Sequence, residues 1–370
     1  MTAYEQLEST FKRIAVLRDV DSILHWDMST MMPHGAAEGR GEQLATIKVM
    51  CHDMLNDPRI GDRLAAAEAE PGLDPWQAAN LAEMRRQWLH ATAVEAEVVE
   101  ALAKACSACE MRWRAARPTS DFAAVRPFLE TVLSLTRQIA DAKAERFGCA
   151  PYDALLDSFE PGTRSAEIDR LFAPLAKFLP DFLPAVLEKQ RRDPPPIPLS
   201  DRFPAAAQRE LGLKLMRVLG FDFDHGRLDV SLHPFCGGAP GDVRLTTRYD
   251  ESNFTKSLMG VVHETGHALY EQGLPKAWRF QPVGRIHSMC LHESQSLLME
   301  MQACRSRAFL EFAAPLMAEA FGGKGPAWSA ENLYRHYTRV VPGAIRVDAD
   351  EVTYPAHIIL RYRLEKALIA

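Results

Sequence analysis

The pattern of hydrophobic and polar positions divides the chain into long helical stretches and one short region of strand. Most of the first half reads as helix. From Trp76 to Arg117 there is no Gly or Pro, and Ala, Glu, Arg and Leu dominate. These are strong helix formers, so the stretch predicts one long helix, or two with a tight break, closed by Pro118. Further helices are expected over about Phe122 to Arg146 and Ala166 to Arg191. The run "DPPPIPLS" (Asp193–Ser200) cannot be helical, because proline lacks the amide donor and clashes with the preceding turn. It predicts a stiff connector between two mainly helical regions.

The strand signal lies between about Arg227 and Tyr249. "RLDVSLH" and "DVRLTTRY" both alternate apolar and polar residues. Between them sits "PFCGGAPGD", rich in turn formers, so the segment predicts a hairpin or a short sheet with a long loop. The pattern then returns to helical period in "DESNFTKSLMGVVHETGHALYEQG". Asp250, Ser252 and Asn253 are each suited to cap its start. Gly273 suits the position just past its end, and Pro275 prevents continuation. The predicted fold is mainly α, with a small β-sheet or hairpin. We divide the chain into an N-terminal helical region (1–192), the Pro-rich connector (193–204) and a C-terminal region (205–370) of one contiguous domain.

Composition narrows the class without changing this picture. The chain has 370 residues, 47% hydrophobic and 25% charged, which is ordinary for a globular protein. A net charge of −6 from interspersed charges argues against nucleic acid as a partner. The N-terminal residues lack the pattern of a signal peptide, and no apolar run is long enough to span a bilayer. Seven cysteines without framework spacing predict a reduced, cytoplasmic protein with no membrane partner. Cys106 and Cys109 form a solitary C-x-x-C, read as helix-packing cysteines, since a structural zinc would need a second pair.

The candidate chemistry lies in "VVHETGHALYEQG" (Val261–Gly273). His263 and His267 are four residues apart, so both imidazoles project from one helical face. Two imidazoles at this spacing can bind one zinc ion, and Glu264 is placed to act as general base on a metal-bound water. A catalytic site needs a third protein ligand. Glu271 shares the face but lies about 12 Å along the helix from His263. The third ligand is therefore expected from another element, and the next helical segment offers His287, His292, Glu293 and Glu300. A carboxylate from the following helix is common in such sites, which favours Glu293 or Glu300, with His292 as rival.

Several short motifs occur in a fixed order: "HPF" (His233–Phe235), "DVRLT" (Asp242–Thr246), "HETGH" (His263–His267), "HESQS" (His292–Ser296) and "IRVDAD" (Ile345–Asp350). Together with "WDMSTMMPHGAAEGRGEQLA" (Trp26–Ala45), they resemble the motif series of the carboxypeptidase Taq family of metallocarboxypeptidases. The resemblance implies Glu293 as third ligand and one zinc ion per chain, with cobalt or another divalent ion as substitute. It implies a large helical domain with a deep groove and the small sheet at the groove wall, often as a homodimer. It also implies removal of single C-terminal residues from peptides, with broad specificity and reluctance at proline.

An exopeptidase must read the free C-terminal carboxylate, a task suited to arginine's two-pronged donor geometry. The resemblance assigns it to Arg346, with Arg244 as runner-up; a structural ion pair of Arg346 with Asp348 or Asp350 is the competing reading. His233 and Tyr354 are candidates for hydrogen bonds to an oxyanion or a substrate carbonyl, and the β segment before His233 could pair with an extended peptide. The chain's last residues, "RLEKALIA", continue a helical pattern, and the family's further C-terminal segment with its G-x-x-Q-D-x-H-W motif has no counterpart here. The leading reading is a zinc metallocarboxypeptidase. The alternative is a truncated, metal-binding but catalytically impaired protein that binds peptides or self-associates. An endopeptidase with the same site and a purely structural helical bundle are further readings.

Overall fold

The computed structural model describes residues 1–199, 202–346 and 349–370, with every side chain among them except that of His34. Two residues of the Pro-rich connector, Ser200 and Asp201, lie outside the described residues, as do Val347 and Asp348 of the "IRVDAD" motif. The fold is mainly α with one small sheet, as expected. In chain order the helices begin with α1 (Ala3–Thr30), α2 (Ala37–Leu55), α3 (Arg59–Glu68), α4 (Pro75–Thr92) and α5 (Ala96–Ala116). They continue with α6 (Phe122–Phe147), α7 (Pro151–Leu156), α8 (Ser165–Arg192) and α9 (Ala205–Leu219). Strands β1 (Gly226–Val230), β2 (Cys236–Ala239) and β3 (Asp242–Thr247) precede α10 (Phe254–Gln272). Then follow α11 (Met289–Leu297), α12 (Arg307–Phe321), α13 (Ala330–Tyr337) and α14 (Tyr354–Ile369).

The chain folds into two compact units, each gathered from separate stretches of sequence. One comprises Met1–Leu7, His52–Lys177 and Ala356–Ala370; the other comprises Glu8–Cys51 and Phe178–Pro355. In the first unit, the stretch from Trp76 to Arg117 is two helices. Asp74 caps α4 in a reciprocal capping box with Gln77, and Pro75 opens the helix. The break after Thr92 carries no Gly or Pro. Instead Thr92 turns its hydroxyl back to the Trp88 carbonyl (2.8 Å), and Glu95 adopts the extended backbone of an N-cap. α6 packs against α4, α5 and α7. Asp157, just after α7, is buried and organises its neighbourhood: it accepts from the Gly162 amide (2.9 Å) and lies 3.0 Å from His90 Nε2.

The second unit contains the sheet, whose strand order is β1-β3-β2. The sequence allowed the two alternating segments to pair as a hairpin, but β1 and β3 run parallel, with Leu228 opposite Leu245. The hairpin is instead β2 with β3, closed at Pro240–Gly241, where Gly241 has φ +85°. The glycine-rich loop thus supplies a third strand. Gly238 has φ +99°, and a Cβ there would lie 2.1 Å from the Asp242 carbonyl oxygen, so the turn-forming composition and the strand coexist only with glycine at this site. The inward residues Leu228, Val243 and Leu245 form a core with Met216 and Phe221 of the α9 end and with Val261 and Ala268 of α10.

The other side of α10 joins a second core. Phe254, Leu258, Met259 and Val262 pack with Leu215, Leu310, Met317 and Trp328. α10 is therefore buried almost all round, which fits its largely apolar surface. Of the three capping candidates, Asn253 is the N-cap; its side chain accepts from the Thr255 amide (3.0 Å). Gly273 ends the helix with φ −82°, so it is not the left-handed cap that its identity suggested. Residues 193–199 of the proline run have no regular secondary structure, and Ile197 among them is tied to α13. Asn332 accepts from Ile197 N (2.7 Å) and donates to Ile197 O (3.0 Å).

Candidate metal centre

α10 brings His263 and His267 to one face, and α11 runs close enough beside it to add Glu293. His263 Nε2 lies 3.9 Å from Glu293 Oε1, and His267 Nε2 lies 3.4 Å from Glu293 Oε2. One ligand atom from each of the three residues lies within 4.8 Å of the others. The close approach of the helices depends on Gly266, between the histidines. A Cβ there would lie 2.6 Å from Gln295 O and 2.6 Å from Ser296 Cα.

Each imidazole has its other nitrogen engaged. His267 Nδ1 is 3.1 Å from the His292 carbonyl oxygen, which can only accept, so Nδ1 carries the proton and Nε2 presents its lone pair. His263 Nδ1 is 2.9 Å from Glu300 Oε2. Glu300 in turn pairs with Arg305, whose guanidinium also donates to Tyr337 O (3.4 Å). Among the rivals for the third ligand, Glu300 thus faces the far nitrogen of His263. His292 stacks its ring on that of His267, centroids 4.2 Å apart and planes 18° apart, with its Nε2 3.4 Å from Glu271 Oε1.

The titratable groups respond to this crowding. The interaction with His267 holds the Glu293 carboxyl below the usual carboxylate range against the effect of burial, with smaller help from His263 and Arg346. Burial alone would raise Glu300, but His263 and Arg305 outweigh it and keep it low. Burial likewise opposes protonation of His263, yet Glu300, Glu264 and Glu293 together raise its pKa. Glu264 differs from the other two carboxylates. It is 7% exposed, and burial lifts its pKa above the ordinary value despite the two histidines. A carboxyl so placed can take up a proton near neutral pH more readily than a solvated one.

The donor set suits a divalent cation. Two imidazoles with free Nε2 lone pairs and a carboxylate held in its ionised form are the ligands of a three-residue site that leaves a position open. α11 is followed directly by a π-helical stretch, Leu298–Ala303, a feature that recurs at functional sites.

The expected substrate-binding residues are spread more widely. Arg346 donates to the Tyr354 hydroxyl (3.3 Å) and is close enough to Glu293 to lower its pKa. Asp350 directs its carboxylate to the amides of Val341, Val352 and Thr353, while Asp348 lies outside the described residues. Arg244 is bound to Asp242 (2.8 Å) and lies over the Trp26 ring at 4.5 Å, so its charge is already engaged. His233 is exposed, and its carbonyl oxygen accepts from Ser231 Oγ. Residue reasoning missed Gly266, Arg305 and the role of Glu300. A glycine inside a helix, disfavoured by about 1 kcal/mol against alanine, was the available signal for the first.

Among the described residues no helix is long and apolar enough to cross a membrane. Comparison with known proteins identifies the lineage. Residues 6–370 match the model of the carboxypeptidase Taq (M32) metallopeptidases. The chain is 39% identical to thermostable carboxypeptidase 1 of Thermus thermophilus, covering 99% of this chain and 74% of the relative. It is 34% identical to carboxypeptidase 1 of Bacillus subtilis, over 97% of this chain and 72% of that one. Its structure is similar to that of Trypanosoma cruzi metallocarboxypeptidase 1, with a TM-score of 0.96 and 40% identity over 99% of this chain and 74% of the other. The chain therefore belongs to the carboxypeptidase Taq (M32) family of metallopeptidases.

Proposed function

We propose that this protein is a zinc-dependent metallocarboxypeptidase that releases single residues from the C-termini of peptides with broad specificity, disfavouring proline. The observation that carries the reading is the His263, His267 and Glu293 cluster with the buried Glu264 beside it. His263 and His267 would hold the ion through Nε2, and Glu293 through its carboxylate. Zinc held there would supply Lewis-acid chemistry, polarising a carbonyl and lowering the pKa of a water molecule. Glu264 takes the proton from the attacking water at its carboxylate and passes it to the leaving amine. The elevated pKa of Glu264 supports this double duty, since a group that is too acidic would not return the proton.

Arg346 binds the substrate's terminal carboxylate through its fork of donors, and Tyr354, bonded to it, sets its orientation. His233 supplies a further hydrogen bond to the peptide. Arg244, held by Asp242 and Trp26, is the weaker choice for the carboxylate. The reading includes a cytoplasmic homodimer; seven free cysteines are consistent with a reducing compartment. A C-terminal ladder assay tests it. Stepwise loss of single residues from a mixed peptide supports the reading, and internal cleavage of end-blocked peptides contradicts it.

A further inference from the structure

The π-helical stretch after α11 does more than extend the helix. Glu300 follows Glu293 by seven positions, and both carboxylates reach His263 of α10. They then meet opposite nitrogens of one imidazole: Glu293 is on the Nε2 side of His263, and Glu300 is 2.9 Å from Nδ1. The wide turn is marked by the bond from Cys304 N to Met299 O (2.9 Å), five residues back. Arg305 follows at once and returns to pair with Glu300, while anchoring itself on Tyr337 O of α13.

We propose that Glu300 is a positioning residue for the metal ligand His263, and that Arg305 holds it in place. An ionised carboxylate can only accept, so Glu300 compels Nδ1 of His263 to carry the proton and leaves the Nε2 lone pair for the ion. It also fixes the ring plane, which otherwise turns about its bond to Cβ. Arg305 fixes the carboxylate from its other oxygen, so the ring, the acid and the cation form one chain ending on backbone. His267 has its counterpart in the His292 carbonyl, and the two ligands are oriented by different means. Partners of this kind typically change metal affinity by about 10- to 100-fold.

The inference rests on His263 being a ligand, and the test separates the two claims. Zn²⁺ affinity of the metal-stripped protein is measured by competition with a chromogenic chelator for wild type, Glu300→Gln and Glu300→Leu, with thermal melts run alongside. The visible spectrum of each Co²⁺-loaded protein reports the ligand field. The expected order of affinity is wild type, then Gln, whose amide oxygen still accepts from Nδ1, then Leu. The leucine variant should lose about 10- to 100-fold and show an altered Co²⁺ spectrum. Arg305→Met should weaken affinity in the same direction. Wild-type affinity in the leucine variant, or equal loss in Gln and Leu, overturns the positioning role while leaving the metal site intact. A wild type that binds no Zn²⁺ overturns both claims.

Discussion

Gly266 and Ser296 are packed so closely that a Cβ on the glycine would lie 2.6 Å from the serine Cα. The contact joins the helix carrying both histidines to the helix carrying Glu293. Gly266→Ala should therefore force α11 away, costing about 1–3 kcal/mol of stability, and should weaken metal binding. Gly260, on the same helix, faces open space. Gly260→Ala should be neutral or stabilising by up to about 1 kcal/mol. Melting curves and Zn²⁺ titrations of the two variants check this; indistinguishable behaviour would mean that the close approach has no consequence for the site.

Glu264→Gln should keep its metal and its fold, because the residue is not among the three proposed ligands. Its turnover should fall by about 10²- to 10⁴-fold, the usual contribution of a positioned base. Metal content and peptide hydrolysis measured on one preparation decide. Full activity in the variant would remove Glu264 from the mechanism.

Arg346→Ala should raise KM for peptides with a free C-terminus, by an amount corresponding to about 1.5–3 kcal/mol for a charge-assisted bond. Amidated peptides should bind the variant and the wild type alike. Inhibition constants for a matched free and amidated pair read this directly. Equal weakening for both members of the pair would show that the carboxylate is read elsewhere.

The first unit should show an acid-sensitive stability of its own. Burial lowers the pKa of His90 despite its bond to Asp157. The unfolded chain, with a histidine pKa near ~6.5, then takes up its proton first as the solution is acidified. The contribution of His90 is therefore complete above about pH 6.5 and is lost as pH falls through the folded pKa. His90→Gln should flatten the fall in melting temperature between about pH 7 and pH 5. A slope equal to that of the wild type would place the acid sensitivity in other groups.

How much of this was legible in the sequence depends on whether the cause was local. The helices over Phe122–Phe147 and Ser165–Arg192 followed from local propensity. So did the non-helical proline run and the alternation of β1 and β3. Histidine spacing put His263 and His267 on one face, because four residues in a helix is a local constraint. Pairing direction was not local. β1 and β3 lie eleven residues apart, and only the tertiary fit of Leu228, Val243 and Leu245 against α10 decides that they run parallel. Glu300 was weighed as a ligand because its type and segment were right; its place on Nδ1 depends on the π-turn and on Arg305. The need for glycine at 266 is likewise non-local: it arises only because Gln295 and Ser296 of α11 lie against that point of α10.

The most direct test of the central claim is metal stoichiometry coupled to activity. The purified protein is analysed for zinc, stripped with a chelator, and reloaded, with C-terminal residue release followed at each stage. We expect close to one zinc per chain, release of single residues that disappears on stripping, and recovery when zinc is returned. Stepwise C-terminal release that persists in the fully stripped protein, or wild-type zinc content in His263→Ala combined with His267→Ala, would contradict the account.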